Sequence, residues 1–114
     1  MHEPHIAHAP SWPVTIHIAG DLQTAKQVCR QFCDRVGLCV TVTETDYIFT
    51  GGSEAGVRVG LINYPRFPKK RDEIEEQAFF LASMLRERLG QESFTIEAPD
   101  RTTWFSWRAQ DVRK

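Results

Sequence analysis

The sequence has almost no net charge and no long apolar run. Its 114 residues include 14 basic and 15 acidic side chains, which gives a formal net charge of -1. No overall field therefore draws the protein onto a polyanion, and any nucleic-acid or membrane contact would have to be local. No stretch approaches the ~18 apolar residues that cross a bilayer, and the first ten residues lack the apolar segment of a signal peptide. We expect a soluble, cytoplasmic protein with no membrane partner.

Familiar catalytic motifs are also absent. The sequence contains no nucleophile elbow and no Walker-type loop, since Gly51 and Gly52 lack the Gly-Lys-Ser/Thr that would hold a phosphate. Glu75 and Glu76 fit the solvated first turn of a helix, where carboxylates favour the helix dipole. We therefore assign no catalytic residue, no metal and no cofactor, and the sequence leans towards a non-enzymatic protein.

Cysteine is scarce and occurs in an odd number. Cys29, Cys33 and Cys39 are the three cysteines of the chain. Such a count favours a reducing compartment over a disulfide scaffold. Cys29 and Cys33 lie one helical turn apart, on or beside an apolar stripe, whereas Cys39 follows on a predicted strand. We interpret all three as structural, because zinc knuckles usually use close pairs on turns. A reactive Cys39 is the alternative.

The ends of the chain differ from its middle. Residues 1–12 are rich in His and Pro and lack periodicity, which predicts a flexible N-terminal arm. The arm's histidines could gather a metal, but a solvated tail is the simpler interpretation because ordering a tail costs conformational entropy. We expect one domain of ordinary size over residues 13–108 and a polar C-terminal tail over residues 109–114.

Two segments have the spacing of amphipathic helices. The first follows Asp21, a favourable N-cap residue, and ends at Gly37. The second begins near Asp72 and ends at Gly90. Each segment has a single apolar stripe, so both helices are expected on one face of a sheet.

Six segments alternate apolar and polar residues, which is the period of half-buried strands. Residues 44–46 are expected to turn the chain between the second and third strands, so that three successive strands form a meander. The predicted fold is α+β, a two-layer sandwich of a mainly antiparallel sheet with two helices on one face, in the order β-α-β-β-β-α-β-β. The predicted strands are residues 14–18, 38–43, 47–50, 57–61, 94–98 and 102–107.

The alternation leaves one face of the sheet without a helix. On that face we expect His17, Arg58, Trp104 and Arg108. An exposed tryptophan flanked by arginines is typical of binding hot spots. We therefore predict a surface that binds another protein. The alternative is that Trp104 and Trp107 close the core or form the seam of a homodimer.

The connector before the second helix combines aromatic and basic residues. Tyr64, Arg66, Phe67 and Lys69 could stack on bases and hold phosphates, so binding of single-stranded nucleic acid is a second hypothesis. Four acidic residues between positions 72 and 76 cancel much of the local field, which is why nucleic acid is not the favoured partner.

A third hypothesis is an enzyme or a small-ligand protein. His17 is the only histidine outside the N-terminal arm, and it could act as a general base. A pocket around His17, Cys39 and Arg58 would support this hypothesis.

Two segments resemble small uncharacterised proteins encoded by bacteriophages and prophages. They are GGSEAGVRVGLINYPRFP at residues 51–68 and DRTTW at residues 100–104, and the likeness extends over residues 14–108. The resemblance implies a phage accessory protein that acts in the bacterial cytoplasm, with no reaction or catalytic residue to transfer. It favours a small non-enzymatic binder or modulator of a host or phage protein, including an inhibitor of host defence.

Overall fold

The computed structural model describes residues 2–111. Its five strands form one sheet in the order β2-β3-β1-β4-β5, and every neighbouring pair is antiparallel. The first six elements have the β-α-β-β-α-β order of ferredoxin-like folds, and β5 adds a strand at the edge. The elements are β1 (Val14–Ala19), α1 (Leu22–Val36), β2 (Thr41–Phe49), β3 (Gly52–Leu61), α2 (Arg71–Leu89), β4 (Ser93–Glu97) and β5 (Thr102–Ser106).

The predicted α+β class, with two helices on one face of an antiparallel sheet, is confirmed. The order differs at one point, because the predicted strands 38–43 and 47–50 are one continuous strand, β2. Residues 44–46 do not turn, since they pair with residues 55–57 of β3. The hairpin turn lies at Gly51, whose φ of 87° suits a residue without a side chain.

The core lies between the sheet and the two helices. In β1, Val14, Ile16 and Ile18 are buried while Thr15 and His17 are only half-buried, as the alternation predicts. The apolar stripes of both helices cover these buried residues. They contribute Ala25, Val28, Cys29 and Phe32 from α1 and Ile74, Ala78, Leu81, Ala82 and Leu85 from α2.

Both helices end in the predicted way. Asp21 accepts hydrogen bonds from the backbone N–H and the hydroxyl of Thr24, at 2.9 and 3.0 Å, and these bonds lower the pKa of the Asp21 carboxyl. Gly37 and Gly90 close the helices in the left-handed conformation, with φ of 69° and 68°. Neither helix within residues 2–111 is apolar over a length that could cross a membrane.

The N-terminal segment contacts the domain at two places. Trp12 packs, half-buried, against the core, and the Asn63 side-chain amide donates a hydrogen bond to the Pro10 carbonyl at 2.9 Å. The flexibility of residues 1–12 stays a prediction, and so do the domain limits at residues 13 and 108. Met1 and residues 112–114 of the predicted tail lie outside the described residues.

The hairpin of β2 and β3 is longer than the strand beside it. β1 pairs with β3 only as far as Ala19, which lies opposite Gly56. Residues 46–49 and 52–55 continue to pair beyond that point. We call residues 46–55 the hairpin arm. Because the arm extends past the end of β1, a space opens between it and the start of β4.

Candidate active site

The face of the sheet opposite the helices carries the predicted surface residues, and we call it the open face. His17 lies opposite Arg58 on one side and Thr95 on the other. Thr43 continues this row next to Arg58, and Trp104 continues it next to Thr95. One side chain from each strand therefore forms a row across the sheet, and the predicted grouping of His17, Arg58 and Trp104 on one surface is correct.

The two C-terminal tryptophans point to different sides of the molecule. Trp104 is 54% exposed, and the Arg108 guanidinium carbon lies 5.9 Å from its ring centroid. Trp107 packs against Phe94, with ring centroids 5.5 Å apart, and the Arg86 guanidinium lies 4.2 Å from its ring. Trp107 thus anchors the end of β5, while Trp104 stays on the open face.

A cleft lies where β1 ends, and we call it the β1-end cleft. The hairpin arm forms one wall, and the start of β4 together with Arg108 forms the other. The last residues of β1 form the floor. The cleft has a volume of about 240 Å³. Its lining consists of His17, Ile18, Ala19, Tyr47, Phe49, Glu54, Gln91, Ser93, Phe94, Thr95 and Arg108.

A second, more polar recess adjoins this cleft. It has a volume of about 490 Å³ and shares Glu54, Gln91, Ser93 and Arg108 with the first. Pockets that hold small molecules usually measure about 300–1,000 Å³. The β1-end cleft alone is smaller than this, whereas the neighbouring recess lies within the range.

Tyr47 is fixed in the wall of the cleft. Its hydroxyl donates a hydrogen bond to the Val57 carbonyl at 2.6 Å, and burial raises the pKa of its phenol. Its ring lies over Gly56, where a Cβ would come within 2.6 Å of the Tyr47 Cε2 atom and 2.5 Å of the Ile18 carbonyl oxygen. The His17 ring lies edge-on at 6.1 Å. Gly56 therefore allows an aromatic ring to cover the backbone at the edge of the cleft.

Arg108 is held in the opposite wall by two polar contacts. Its Nη2 donates to the Ser93 hydroxyl at 3.2 Å, and its Nε lies 3.5 Å from the Asp111 carboxylate. The Ser106 hydroxyl donates to Asp111 at 2.7 Å and accepts from the Arg108 backbone N–H at 3.2 Å. The chain after β5 thus turns back and presents the guanidinium at the rim of the cleft.

The pocket expected around His17, Cys39 and Arg58 is not formed. His17 lines the cleft and contacts Glu97 through its Nε2 at 2.9 Å, but neither Cys39 nor Arg58 belongs to the lining. Cys39 lies before β2, where its thiol donates to the Tyr64 hydroxyl at 3.2 Å. His17 and Arg58 are neighbours on the open face, whereas Cys39 lies at the end of the sheet opposite the hairpin arm.

The basic and aromatic connector lies at that opposite end as well. Tyr64 and Phe67 stack on each other with ring centroids 5.3 Å apart, and the Lys69 backbone donates to the Asn63 side chain at 2.9 Å. One face of each aromatic ring is therefore already covered. Arg66 is exposed beside them. Nucleic-acid binding by this connector stays a prediction.

The cysteines differ in burial. Cys29 is buried in the core, and burial raises the pKa of its thiol to about 12. Burial, followed by the nearby Cys39, also raises the pKa of the half-buried Cys33, whereas Cys39 is exposed. Among residues 2–111, no three side chains of the metal-binding types lie close enough to hold an ion.

Sequence reasoning missed most of the cleft. Tyr47, Phe49 and Glu54 were assigned to a short strand and a loop, and nothing in the sequence indicated that they face Ser93. The one usable signal was the polar and aromatic alternation on either side of Gly51, which fits a long hairpin. Arg108 was identified, but as part of a protein-binding surface rather than as a wall of a cleft.

No protein-family model matches this chain, and no curated protein matches it. Two solved structures have the same fold, both of phage SAM lyase. The apo form has a TM-score of 0.68 and 15% identity, and the match covers 83% of this chain and 88% of that one. The complex with S-methyl-5'-thioadenosine has a TM-score of 0.63 and 13% identity, and the match covers 94% of this chain and 99% of that one.

These matches correct two predictions. The chain was expected to be a non-enzymatic binder or modulator of another protein, and the sequence leaned away from an enzyme. Both expectations are wrong, because the fold found over most of this chain is that of an enzyme that has been seen with a small ligand. The composition of an exposed surface does not show whether its ligand is a protein or a small molecule.

Proposed function

We propose that this protein is an enzyme that cleaves S-adenosylmethionine (SAM) and releases S-methyl-5'-thioadenosine. The observation that carries the proposal is the fold shared with phage SAM lyase over nearly the whole of both chains. The phage origin of those proteins agrees with the resemblance found in the sequence. We therefore also propose that this protein is encoded by a phage and acts in the bacterial cytoplasm.

The reaction breaks one carbon–sulfur bond. S-methyl-5'-thioadenosine retains every part of SAM except the four-carbon amino-acid chain. The electron pair of the broken bond stays on sulfur, which changes from a sulfonium cation to a neutral thioether. In a lyase reaction the carbon fragment is completed without water. It either loses a proton to form an alkene or closes a ring through its own carboxylate.

The β1-end cleft offers groups suited to this substrate. Tyr47 and Phe49 present aromatic rings, which can stack on an adenine base or face a cation. Glu54 places a carboxylate beside them, where it would attract the sulfonium. Because sulfonium is already a cationic leaving group, it needs no proton to depart. The side chains have to bind the substrate, fix its conformation and keep water away.

The direct test is to incubate the purified protein with SAM and to follow S-methyl-5'-thioadenosine by mass spectrometry. We expect product to form in proportion to enzyme, and the mass of the second product separates the alkene from the ring. Glu54→Gln should lower kcat/KM by at least about tenfold, because a hydrogen bond or contact to a charged group contributes roughly 1.5–3 kcal/mol.

The matched control is Glu76→Gln, which neutralises an exposed carboxylate on α2, on the other side of the molecule. It should keep the wild-type rate. Absence of product with wild-type protein that is folded, as judged by circular dichroism, would contradict the proposal. Equal losses in both variants would show that the cleft is not where the reaction occurs.

A further inference from the structure

Two side chains of opposite charge line the same two neighbouring spaces. Glu54 lies on the hairpin arm, and Arg108 lies after β5, 54 positions later in the chain. Both residues line the β1-end cleft and the polar recess that adjoins it. The two charges are therefore presented to a ligand in the same space, and Arg108 keeps further N–H donors beyond its ion pair with Asp111 at 3.5 Å.

The guanidinium of Arg108 is placed to receive an anion. It carries five N–H donors, and the contacts with Ser93 and Asp111 involve two of them. These contacts, together with the Ser106–Asp111 hydrogen bond, restrict the side chain before a ligand arrives. A guanidinium restricted in this way binds a carboxylate with little further loss of freedom.

We propose that Arg108 binds the carboxylate of the amino-acid end of SAM, while Glu54 faces its cationic groups. This inference rests on the proposed function and names the residue that recognises one part of the substrate. Arg108 is thus a specificity-determining residue, since it distinguishes an amino-acid sulfonium from a sulfonium that lacks the carboxylate. It also holds that end of the substrate while the carbon–sulfur bond breaks.

Three ligands separate these contacts. SAM carries the carboxylate, the ammonium and the sulfonium. Its decarboxylated derivative lacks only the carboxylate, and S-methyl-5'-thioadenosine lacks the whole amino-acid chain and the positive charge. Affinities for the three ligands, measured by titration calorimetry under conditions in which cleavage is slow, therefore separate the contribution of the carboxylate from the joint contribution of the two cationic groups and the carbon chain.

Wild-type protein should bind SAM about 10- to 100-fold more tightly than the decarboxylated derivative, which is the usual contribution of a charge-assisted contact. In Arg108→Gln this ratio should fall to within about twofold, while the affinity for S-methyl-5'-thioadenosine stays at the wild-type value. Glu54→Gln should lower the affinities for SAM and for the decarboxylated derivative by the same factor, and it should leave the affinity for S-methyl-5'-thioadenosine unchanged.

The control variant is Arg101→Gln. Arg101 is a well-exposed arginine that lies 3.8 Å from the Glu75 carboxylate and outside the cleft lining. It should retain all three affinities. Arg108→Lys provides a second variant that keeps the charge but loses the planar guanidinium. Its ratio of affinities for SAM and the decarboxylated derivative should lie between those of wild type and Arg108→Gln. Circular dichroism checks the folding of each variant.

The outcomes separate this inference from the proposed function. If wild-type protein binds neither SAM nor S-methyl-5'-thioadenosine, both are wrong. If it binds both ligands but Arg108→Gln keeps the wild-type ratio, the assignment of Arg108 is wrong and the proposed function stands. If Arg108→Gln lowers the affinity for S-methyl-5'-thioadenosine as much as the affinity for SAM, Arg108 supports the shape of the cleft and does not recognise the carboxylate.

Discussion

Replacing Gly56 by alanine tests how the wall of the cleft is built. In most strands an alanine is more favourable than a glycine by roughly 0.5–1 kcal/mol, because glycine loses more conformational freedom on folding. At Gly56 the sign should reverse. A Cβ there would lie 2.5 Å from the Ile18 carbonyl oxygen, 2.6 Å from Tyr47 Cε2 and 2.8 Å from Ala19 Cα. Two of these three atoms belong to the backbone and cannot move without disturbing the pairing of β1 with β3.

The expected loss is about 1–3 kcal/mol of unfolding free energy, the usual cost of an atom inserted into a packed region. For a domain of this size, each 1 kcal/mol shifts Tm by about 4–8 °C. The assay is urea unfolding followed by circular dichroism. Because the new methyl group also displaces the Tyr47 ring, we expect weaker binding of S-methyl-5'-thioadenosine by the same variant.

Gly60 provides the matched control on the same strand and face. A Cβ there would meet the Thr41 hydroxyl oxygen at 2.5 Å and no backbone atom within 4 Å. A side chain can rotate away, so Gly60→Ala should change the free energy of unfolding by less than about 0.5 kcal/mol. If Gly56→Ala is as stable as Gly60→Ala, the close approach of Tyr47 and β1 at Gly56 does not exist in solution.

Two further changes test the core. Leu81→Ala removes a fully buried side chain from α2 and should cost about 2–5 kcal/mol in urea unfolding, whereas a loss below 1 kcal/mol would mean that the two layers are not closely packed there. Cys29 has a pKa of about 12, against an ordinary 9.0, so its contribution to stability is complete below pH 9 and is lost as pH rises towards 12. Between pH 7.5 and 10.5 the free energy of unfolding of the wild type should therefore fall by about 2 kcal/mol more than that of Cys29→Ala. Equal losses would show that the thiol is not shielded from water.

The shared fold alone does not identify the function of this protein, and the side chains of the site have to support it. Folds host many activities, so a structural likeness at 13–15% identity requires support from side chains. Here that support comes from the aromatic wall at Tyr47 and Phe49 and from the opposed charges of Glu54 and Arg108. Under the proposed function, each group would face a different part of SAM, and each can be replaced singly.

The protein-binding hypothesis failed for an identifiable reason. The positions of His17, Arg58 and Trp104 on the open face were predicted correctly, because they follow from alternation along single strands. What that face does was inferred from composition, and composition does not indicate shape. The cleft lies at one end of the face, where the hairpin arm projects beyond β1, and two of these three residues lie outside its lining.

The sequence by itself determined the local structure of this protein. The alternation of β1, the apolar stripes of the helices and the caps at Asp21, Gly37 and Gly90 each depend on neighbouring residues, and they dictate a two-layer α+β fold. The tertiary structure decided the strand order, the continuity of β2 and the placing of Glu54 and Arg108 in the lining of one cleft. Those features depend on pairing between distant strands, and residues 44–46 become part of a strand only because β3 supplies their hydrogen-bond partners. The alternation on either side of Gly51 is a local sign of the hairpin arm, but the position of that arm beside Ser93 and Arg108 leaves no local pattern in the sequence.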